Sequence, residues 1–391
     1  MTRVLVVDDS GFMRTVIGDA LTDAGYDVET ATNGSEAIEA VAAYDPDVVT
    51  MDVEMPEVGG IEAVERIMAS HPTLILMLSI HTEQGAEATL DALERGAVDF
   101  VHKPDGSDSR TVTSLTDEVV GKVDELADAN VSSIALARAA ASAHATRTAS
   151  SSGQGQAAER AVASAGSGVH VGTSIADESD VDDLEPVDLE GEYVDDPTVV
   201  VGASTGGPKI VERLFERLPA ELGAKVLVVQ HMPASFTGRF ADRLDARSEY
   251  DVREAGDGDA IRSGEAAVAP GDSHLEVASN VAGRLRVRLD DGERLHGVRP
   301  AIDVTMRTAA ERLTDPLCGV VLTGMGRDGA AGIEAIDAAG GHTIAQDEAT
   351  SPVFGIPCQA IRTGCVDDVV PAGRLVEAIA DAFNTDGETD D

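Results

Sequence analysis

TVVVGASTGGP, residues 198–208, decides how this chain is read. Thr198 to Ala203 is a short apolar, β-branched run of the kind that forms a parallel strand buried on both faces, and Ser204 to Pro208 turns it into a helix. Two later runs have the same form: KVLVVQ (225–230) ends at His231, and GVVLT (319–323) leads into TGMGRDG, which carries Asp328. In an open α/β sheet the carboxyl ends of the strands line one crevice, so residues placed there from different strands can meet. Ser204, His231 and Asp328 would bring a nucleophile, a base and an orienting acid to one edge, the pattern of serine hydrolysis. The same strand-end placement recurs near the N-terminus with Asp8, Asp9, Asp52, Ser79 and Lys103.

At 391 residues the chain is too long for one typical core, and two domains with a linker are expected. Aromatics make up 3% and tryptophan is absent, so the cores must be built mainly from Val, Leu, Ile and Ala. A formal charge of -42 with no clustered Lys and Arg argues against a nucleic-acid partner. Charge of this size repels itself in dilute salt and is screened at high ionic strength, which points to a salt-loving cytoplasm. Cys318, Cys358 and Cys365 are an odd number without CxxC spacing and read as free thiols in a reducing compartment. The chain shows no signal-peptide pattern and no uncharged apolar stretch near the ~20 residues of a membrane span, so a soluble, cytoplasmic protein is expected.

Strands and helices alternate about five times from Arg3 to Lys122, which implies a parallel sheet covered by helices. A closing helix is expected over roughly Leu115 to Asp128. Residues 1–122 are assigned to a first domain and 123–196, Ala/Ser-rich and then acidic, to a disordered linker. Residues 197–385 form a second domain, and 386–391 an acidic tail. Between residues 251 and 290 the runs DVREAGDG, AAVAP, HLEV and LRVRL read as shorter strands, an antiparallel edge or ribbon.

Asp8 and Asp9 follow the first strand, Asp52 ends the third and Lys103 the fifth. Converging carboxylates make an oxygen-ligand site for Mg2+, and the ammonium can neutralise a transferred phosphoryl group. Ser79, ending the fourth strand, can hydrogen-bond a phosphoryl oxygen on Asp52, and Phe100 is placed to respond when Ser79 moves. With VVDDS, MDVEMP and KP in order, residues 1–122 resemble a response-regulator receiver domain of flavodoxin-like fold. The resemblance implies that Asp52 accepts a phosphoryl group from a histidine kinase. It also implies that Asp8, Asp9, Asp52 and the backbone carbonyl of Glu54 hold Mg2+, with Ser79, Phe100 and Lys103 as switch residues.

The turn at Ser204 is a weak signal alone, because a Gly-rich strand-to-helix turn more often binds phosphate. A dinucleotide fold would usually end its second strand on Asp or Glu, where this chain has Gln230 and His231. The order Ser204, His231, Asp328 also departs from the Ser, acid, His order of α/β-hydrolases. His274, in APGDSHLEV, is a rival base. The segments GASTGGP, QHMPASFTGRFADRL, RPAIDV, VVLTGMGRDGAAG and IAQDEATSPVFGIP resemble the CheB family of chemotaxis receptor methylesterases over Thr198 to Asp381.

That resemblance implies a Rossmann-like catalytic domain that hydrolyses glutamate γ-methyl esters on methyl-accepting chemotaxis receptors. Ser204, His231 and Asp328 would be its triad, with backbone N–H groups at Thr205 and Met325 at the oxyanion and no cofactor for ester hydrolysis. Glutamine deamidation occurs in some members. Receptors are the implied substrate partners and a chemotaxis histidine kinase the phosphodonor, with no nucleic acid and no membrane insertion. In this family the unphosphorylated receiver covers the active-site face. The fold expectation is therefore α/β, two doubly wound parallel-sheet domains joined by a disordered acidic linker. A non-catalytic, phosphorylation-dependent scaffold for receptors or kinase is the alternative from another class. A DNA-binding regulator is disfavoured by the acidic output region.

Overall fold

A computed structural model describes residues 2–80, 83–103, 109–127, 187, 189 and 191–385. The expected linker disorder concerns 128–186, 188 and 190, and the acidic tail 386–391; both lie outside the described residues.

In the N-terminal domain the elements run β1 (Arg3–Val7), α1 (Gly11–Asp23), β2 (Asp27–Ala31), α2 (Gly34–Tyr44), β3 (Val48–Asp52), α3 (Gly60–Ser70), β4 (Leu74–Ile80), α4 (Glu83–Glu94), β5 (Asp99–Lys103) and α5 (Ser109–Ala127). The sheet is parallel with order β2-β1-β3-β4-β5. The order reverses between β1 and β3, so the crevice opens where Asp8 and Asp52 end their strands. Local chemistry starts the helices: Ser10 caps α1 by accepting the Met13 N–H, and Asn33 caps α2 by accepting the Glu36 N–H.

The C-terminal domain runs β6 (Thr198–Ala203), α6 (Gly207–Arg217), β7 (Lys225–Gln230), α7 (Ala234–Arg247), β8 (Asp251–Glu254), β9 (Ala260–Ile261), β10 (Glu265–Val268), β11 (His274–Val281), β12 (Arg284–Asp290), α8 (Ile302–Arg312), β13 (Leu317–Val321), α9 (Ala330–Ala338), β14 (His342–Gln346), α10 (Ile356–Thr363), β15 (Asp368–Val370) and α11 (Leu375–Asp381). Its seven-stranded parallel sheet has the order β15-β14-β13-β6-β7-β10-β8. Both β6 and β7 are buried at every position, which suits their apolar centres, with Thr198, Lys225 and Gln230 as buried polar ends. Here the reversal falls between β6 and β13, which places Ser204 and the β13–α9 turn side by side.

Three expectations change. Only HLEV and LRVRL form a ribbon, as β11 and β12, joined by β9 in a three-stranded antiparallel sheet. The runs of β8 and β10 instead extend the main sheet in parallel beside β7. The domain limit at 122 falls inside α5, because Val119, Val123 and Leu126 continue its buried apolar stripe to Ala127. The linker limit at 196 is also late: Tyr193 bridges Asn384 and the Val194 N–H donates to the Phe383 carbonyl at 3.0 Å, so residues 191–196 belong to the C-terminal fold.

Gly202 shows how tightly β6 meets α8. A Cβ there would lie 2.4 Å from Ile302 Cγ2, so only the absence of a side chain lets the first turn of α8 approach the strand. Gly202→Ala is expected to destabilise by roughly 1–3 kcal/mol through overpacking, read as a lower urea midpoint at unchanged slope; an unchanged midpoint would show that Ile302 moves freely.

Candidate functional site

A cavity of about 730 Å3 lies where the two domains meet, and Ser204, Thr205, His231, Met325 and Asp328 line it from the C-terminal side. His231 Nε2 lies 2.8 Å from Asp328 Oδ2. The Asp328 carboxylate is 2% exposed and also accepts the N–H groups of Ile302 (2.7 Å) and Asp303 (2.9 Å) at the start of α8. Burial works to raise its pKa, but His231 and these two N–H groups outweigh it and hold the carboxyl below its ordinary value. Asp328 is therefore a fixed anion aimed at one nitrogen of His231, leaving Nδ1 as the other.

Ser204 is half-buried at the turn between β6 and α6. Among the described residues no hydrogen bond joins its hydroxyl to His231, and such contacts often close only when substrate binds. The turn itself is firmly held. The Ser204 carbonyl accepts the Gly207 N–H and Gln230 Nε2, both at 2.8 Å, so the Thr205 N–H of the same peptide points the opposite way. Gly207 is required for this, because a Cβ there would lie 2.3 Å from Gln230 Oε1. In the same manner the Gly324 carbonyl accepts the N–H groups of Gly355 (3.0 Å) and Ile356 (2.7 Å), which turns the Met325 N–H away from α10. Two backbone donors are thus oriented by their partners' bonds, as an oxyanion site needs.

His274 does not meet the requirements of a base. It is 3% exposed, its Nδ1 accepts the Ala301 N–H at 3.2 Å, and its Nε2 lies 3.0 Å from the Glu293 carbonyl. Both nitrogens are committed to the backbone, so this is a structural imidazole.

Sequence reasoning missed three supports. Gln230 ties the Ser204 turn to β7. Asp303, 1% exposed, accepts the N–H groups of Gly329 (2.9 Å) and Gly332 (2.7 Å) and pairs with His296 at 2.8 Å. Its signal was an acidic residue in the first helical turn of RPAIDV, indistinguishable in sequence from ordinary helix capping. Asp303, His296 and Asp328 converge closely enough to suggest a metal cluster. Their oxygens, however, are already taken by backbone N–H groups and imidazoles, which explains the cluster without an ion.

The third support belongs to the interface. Lys122 of α5 donates to Thr205 Oγ1 at 3.2 Å, and that hydroxyl donates to Glu125 at 3.0 Å. Burial pushes the Glu125 carboxyl above its usual range, opposed by Lys122. Beside this contact, Arg243 of α7 bridges Glu212 (3.1 Å) to Asp91 and Glu94 of α4 (both 3.0 Å), and Arg247 reaches Glu94 at 2.9 Å. The N-terminal domain thus covers the pocket with α5.

In the N-terminal crevice the ligand atoms of Asp8, Asp9 and Asp52 lie within 4.8 Å of one another. Lys103 Nζ is 2.6 Å from Asp8 and 2.7 Å from Asp52. Burial pushes the Asp52 carboxyl up to about 6, against the pull of Lys103, and Asp8 and Asp9 add to the rise. Three carboxylates facing one ammonium form a hard, anionic oxygen set that fits a divalent cation. Glu54 lies two residues beyond Asp52 on the β3–α3 loop. Ser79 donates to the Gly85 carbonyl at 3.1 Å, while the Phe100 ring packs on Phe236 of α7 with centroids 4.4 Å apart. Phe100 therefore touches the other domain directly.

The comparisons divide the chain as the fold does: residues 4–113 match the Response regulator receiver domain and residues 199–379 the CheB methylesterase family. The class is a receiver joined to a methylesterase-type domain. The chain is 51% identical over 385 residues to a protein-glutamate methylesterase/protein-glutamine glutaminase of Halobacterium salinarum, covering 98% of this chain and 99% of that protein. It is 48% identical to the protein of the same name from Haloarcula marismortui, covering 98% of each. The catalytic-domain crystal structure of Thermotoga maritima CheB methylesterase is 41% identical and covers 47% of this chain and 97% of that one, with a TM-score of 0.45. The chain belongs to the protein-glutamate methylesterase/protein-glutamine glutaminase family.

Two outcomes are expected. Asp303→Ala strands two buried N–H groups and should cost on the order of 1–3 kcal/mol for each, with Asp303→Asn, which keeps an acceptor oxygen, costing less in urea unfolding. Equal costs would assign the loss to packing instead. Separately, docking raises the Glu125 pKa, so the docked form binds more protons than the undocked one. Docking should strengthen as pH falls from neutral toward the ordinary glutamate value of 4.5, and weaken again below it as Glu94, whose carboxyl is held below its ordinary range against burial by Arg247 and Arg243, takes up a proton. A fluorescence-transfer pair across the two domains reads this, and transfer that falls between neutral pH and 4.5 would contradict it.

Proposed function

We propose that this protein is a phosphorylation-activated methylesterase that hydrolyses glutamate γ-methyl esters on methyl-accepting chemotaxis receptors and releases methanol. The observation that carries the reading is the buried Asp328 held to His231 Nε2 in the pocket that Ser204 also lines. Ser204 Oγ attacks the ester carbonyl while His231 Nδ1 takes its proton. The Thr205 and Met325 N–H groups stabilise the tetrahedral oxyanion, each worth about 10²–10³ in rate. The proton on Nδ1 passes to the departing methoxide, which leaves as methanol, and Ser204 holds the glutamyl acyl group. Water then gives a proton to Nδ1 and attacks the acyl carbon, and Ser204 regains its proton as the glutamate carboxylate departs. The same steps applied to a glutamine amide release ammonia, more slowly because nitrogen must be protonated to leave.

Asp52 is the phosphoryl acceptor in this reading, and a histidine kinase the donor. Mg2+ would be held by Asp8, Asp9, Asp52 and the Glu54 carbonyl, and when bound it neutralises phosphoryl oxygens. Lys103 and Ser79 would contact the phosphoryl group. The unphosphorylated receiver closes the pocket through α5 and the Arg243 network, and phosphorylation shifts the population toward an open form.

The test is methanol release from methyl-labelled receptor membranes at high salt, with and without a small-molecule phosphodonor and Mg2+. Ser204→Ala should lower release by about 10³-fold or more, and Asp52→Asn should keep basal release and lose the phosphodonor response. Signalling that persists with Ser204→Ala, without methanol release from the intact protein, would favour a scaffold.

A further inference from the structure

In a chain with 71 acidic and 29 basic residues, the pocket wall of the methylesterase domain carries Arg294, Arg299 and Arg327. Arg294 is paired with Asp272 at 2.9 Å. Arg299 and Arg327 differ, because among the described residues no carboxylate lies within 4.0 Å of either guanidinium. Arg299 Nη1 donates to the carbonyls of Asp291 (2.5 Å) and Gly292 (2.6 Å), which orients the group without neutralising it. Arg327 Nε donates to His296 Nδ1 at 3.4 Å, an imidazole whose other nitrogen is held by Asp303. Two uncompensated cations facing a pocket in so acidic a protein imply an anionic guest, and a guanidinium fork suits a carboxylate.

A second observation identifies the form of that guest. In the docked state the same cavity is lined by α5, which presents Glu118 and Glu125 to it, two helical turns apart with Lys122 between them. Glu125 accepts from the Thr205 hydroxyl, one residue from Ser204. The wall that the chain itself sets opposite these arginines is thus a helix carrying glutamates, one of them held beside the residue that follows Ser204.

We infer that Arg299 and Arg327 read free carboxylates flanking the scissile group, so that the enzyme selects a glutamyl ester set in an acidic helical segment. This rests on the esterase reading above.

Two synthetic helical peptides test it, each with one glutamate γ-methyl ester, flanked at three, four and seven residues by glutamates in one and glutamines in the other. Methanol release is followed with the full chain, saturating phosphodonor and Mg2+ at high salt. The intact enzyme should favour the glutamate-flanked peptide by about tenfold in kcat/KM, mostly through KM. Arg299→Gln and Arg327→Gln should each bring that ratio toward one, and Arg327→Lys should retain part of it. A ratio near one in the intact enzyme, or an unchanged ratio in both glutamine variants, overturns the inference while leaving the esterase standing. Absence of Ser204-dependent release from either peptide and from receptor membranes overturns both.

Discussion

The Asp328 carboxylate is the joint on which the site depends. It takes two N–H groups from the start of α8 and one imidazole from the end of β7, so it binds a helix, a turn and a strand end to a single point. A buried carboxylate without such donors would take up a proton or leave the core. With them it stays ionised, and the same bonds that satisfy it fix the ring of His231. Gly202 makes the arrangement possible by letting Ile302 approach β6, and Asp303 holds the other side of the turn through Gly329 and Gly332.

The receiver is held over this site by opposite charges placed with economy. Arg243 and Arg247 engage acids of α4 and α6 together, and Lys122 sits among Asp99, Glu125 and Thr205. Apolar contact accompanies them: Phe100 packs on Phe236, and Val353 joins the cluster of Val119, Val123 and Leu126 on α5. Salt weakens the exposed pairs and strengthens apolar association, so an interface with both components tolerates the high ionic strength at which a charge of -42 is screened. The likeness to proteins of Halobacterium salinarum and Haloarcula marismortui fits that working environment.

Much of this was legible in the sequence because parallel strands are apolar runs that end abruptly in chemistry. Ser204, His231, Asp52 and Lys103 stand where the runs of β6, β7, β3 and β5 stop, and their convergence follows from topology alone. What pairs across a sheet was less legible. The short runs of β8 and β10 have no local signal that distinguishes a parallel partner from a ribbon, since both alternatives bury the same residues. The supporting polar residues were hidden for a related reason: Asp303 in a first helical turn and Gln230 at a strand end look like an ordinary helix cap and a solvated strand end until their partners come from distant segments. The grip of Glu125 and Lys122 on Thr205 was invisible because it joins residues some 80 positions apart in different domains.

Proton transfer from Ser204 turns on which nitrogen of His231 is free. Nitrogen-15 shifts of the ring, measured at neutral pH on the histidine-labelled full chain and assigned with a His231→Gln variant, address this directly. The geometry predicts a proton on Nε2, donated to Asp328, and an unprotonated Nδ1 available to Ser204. A neutral ring with its proton on Nδ1 would contradict the arrangement, because that imidazole could neither donate to Asp328 as placed nor accept the proton of Ser204.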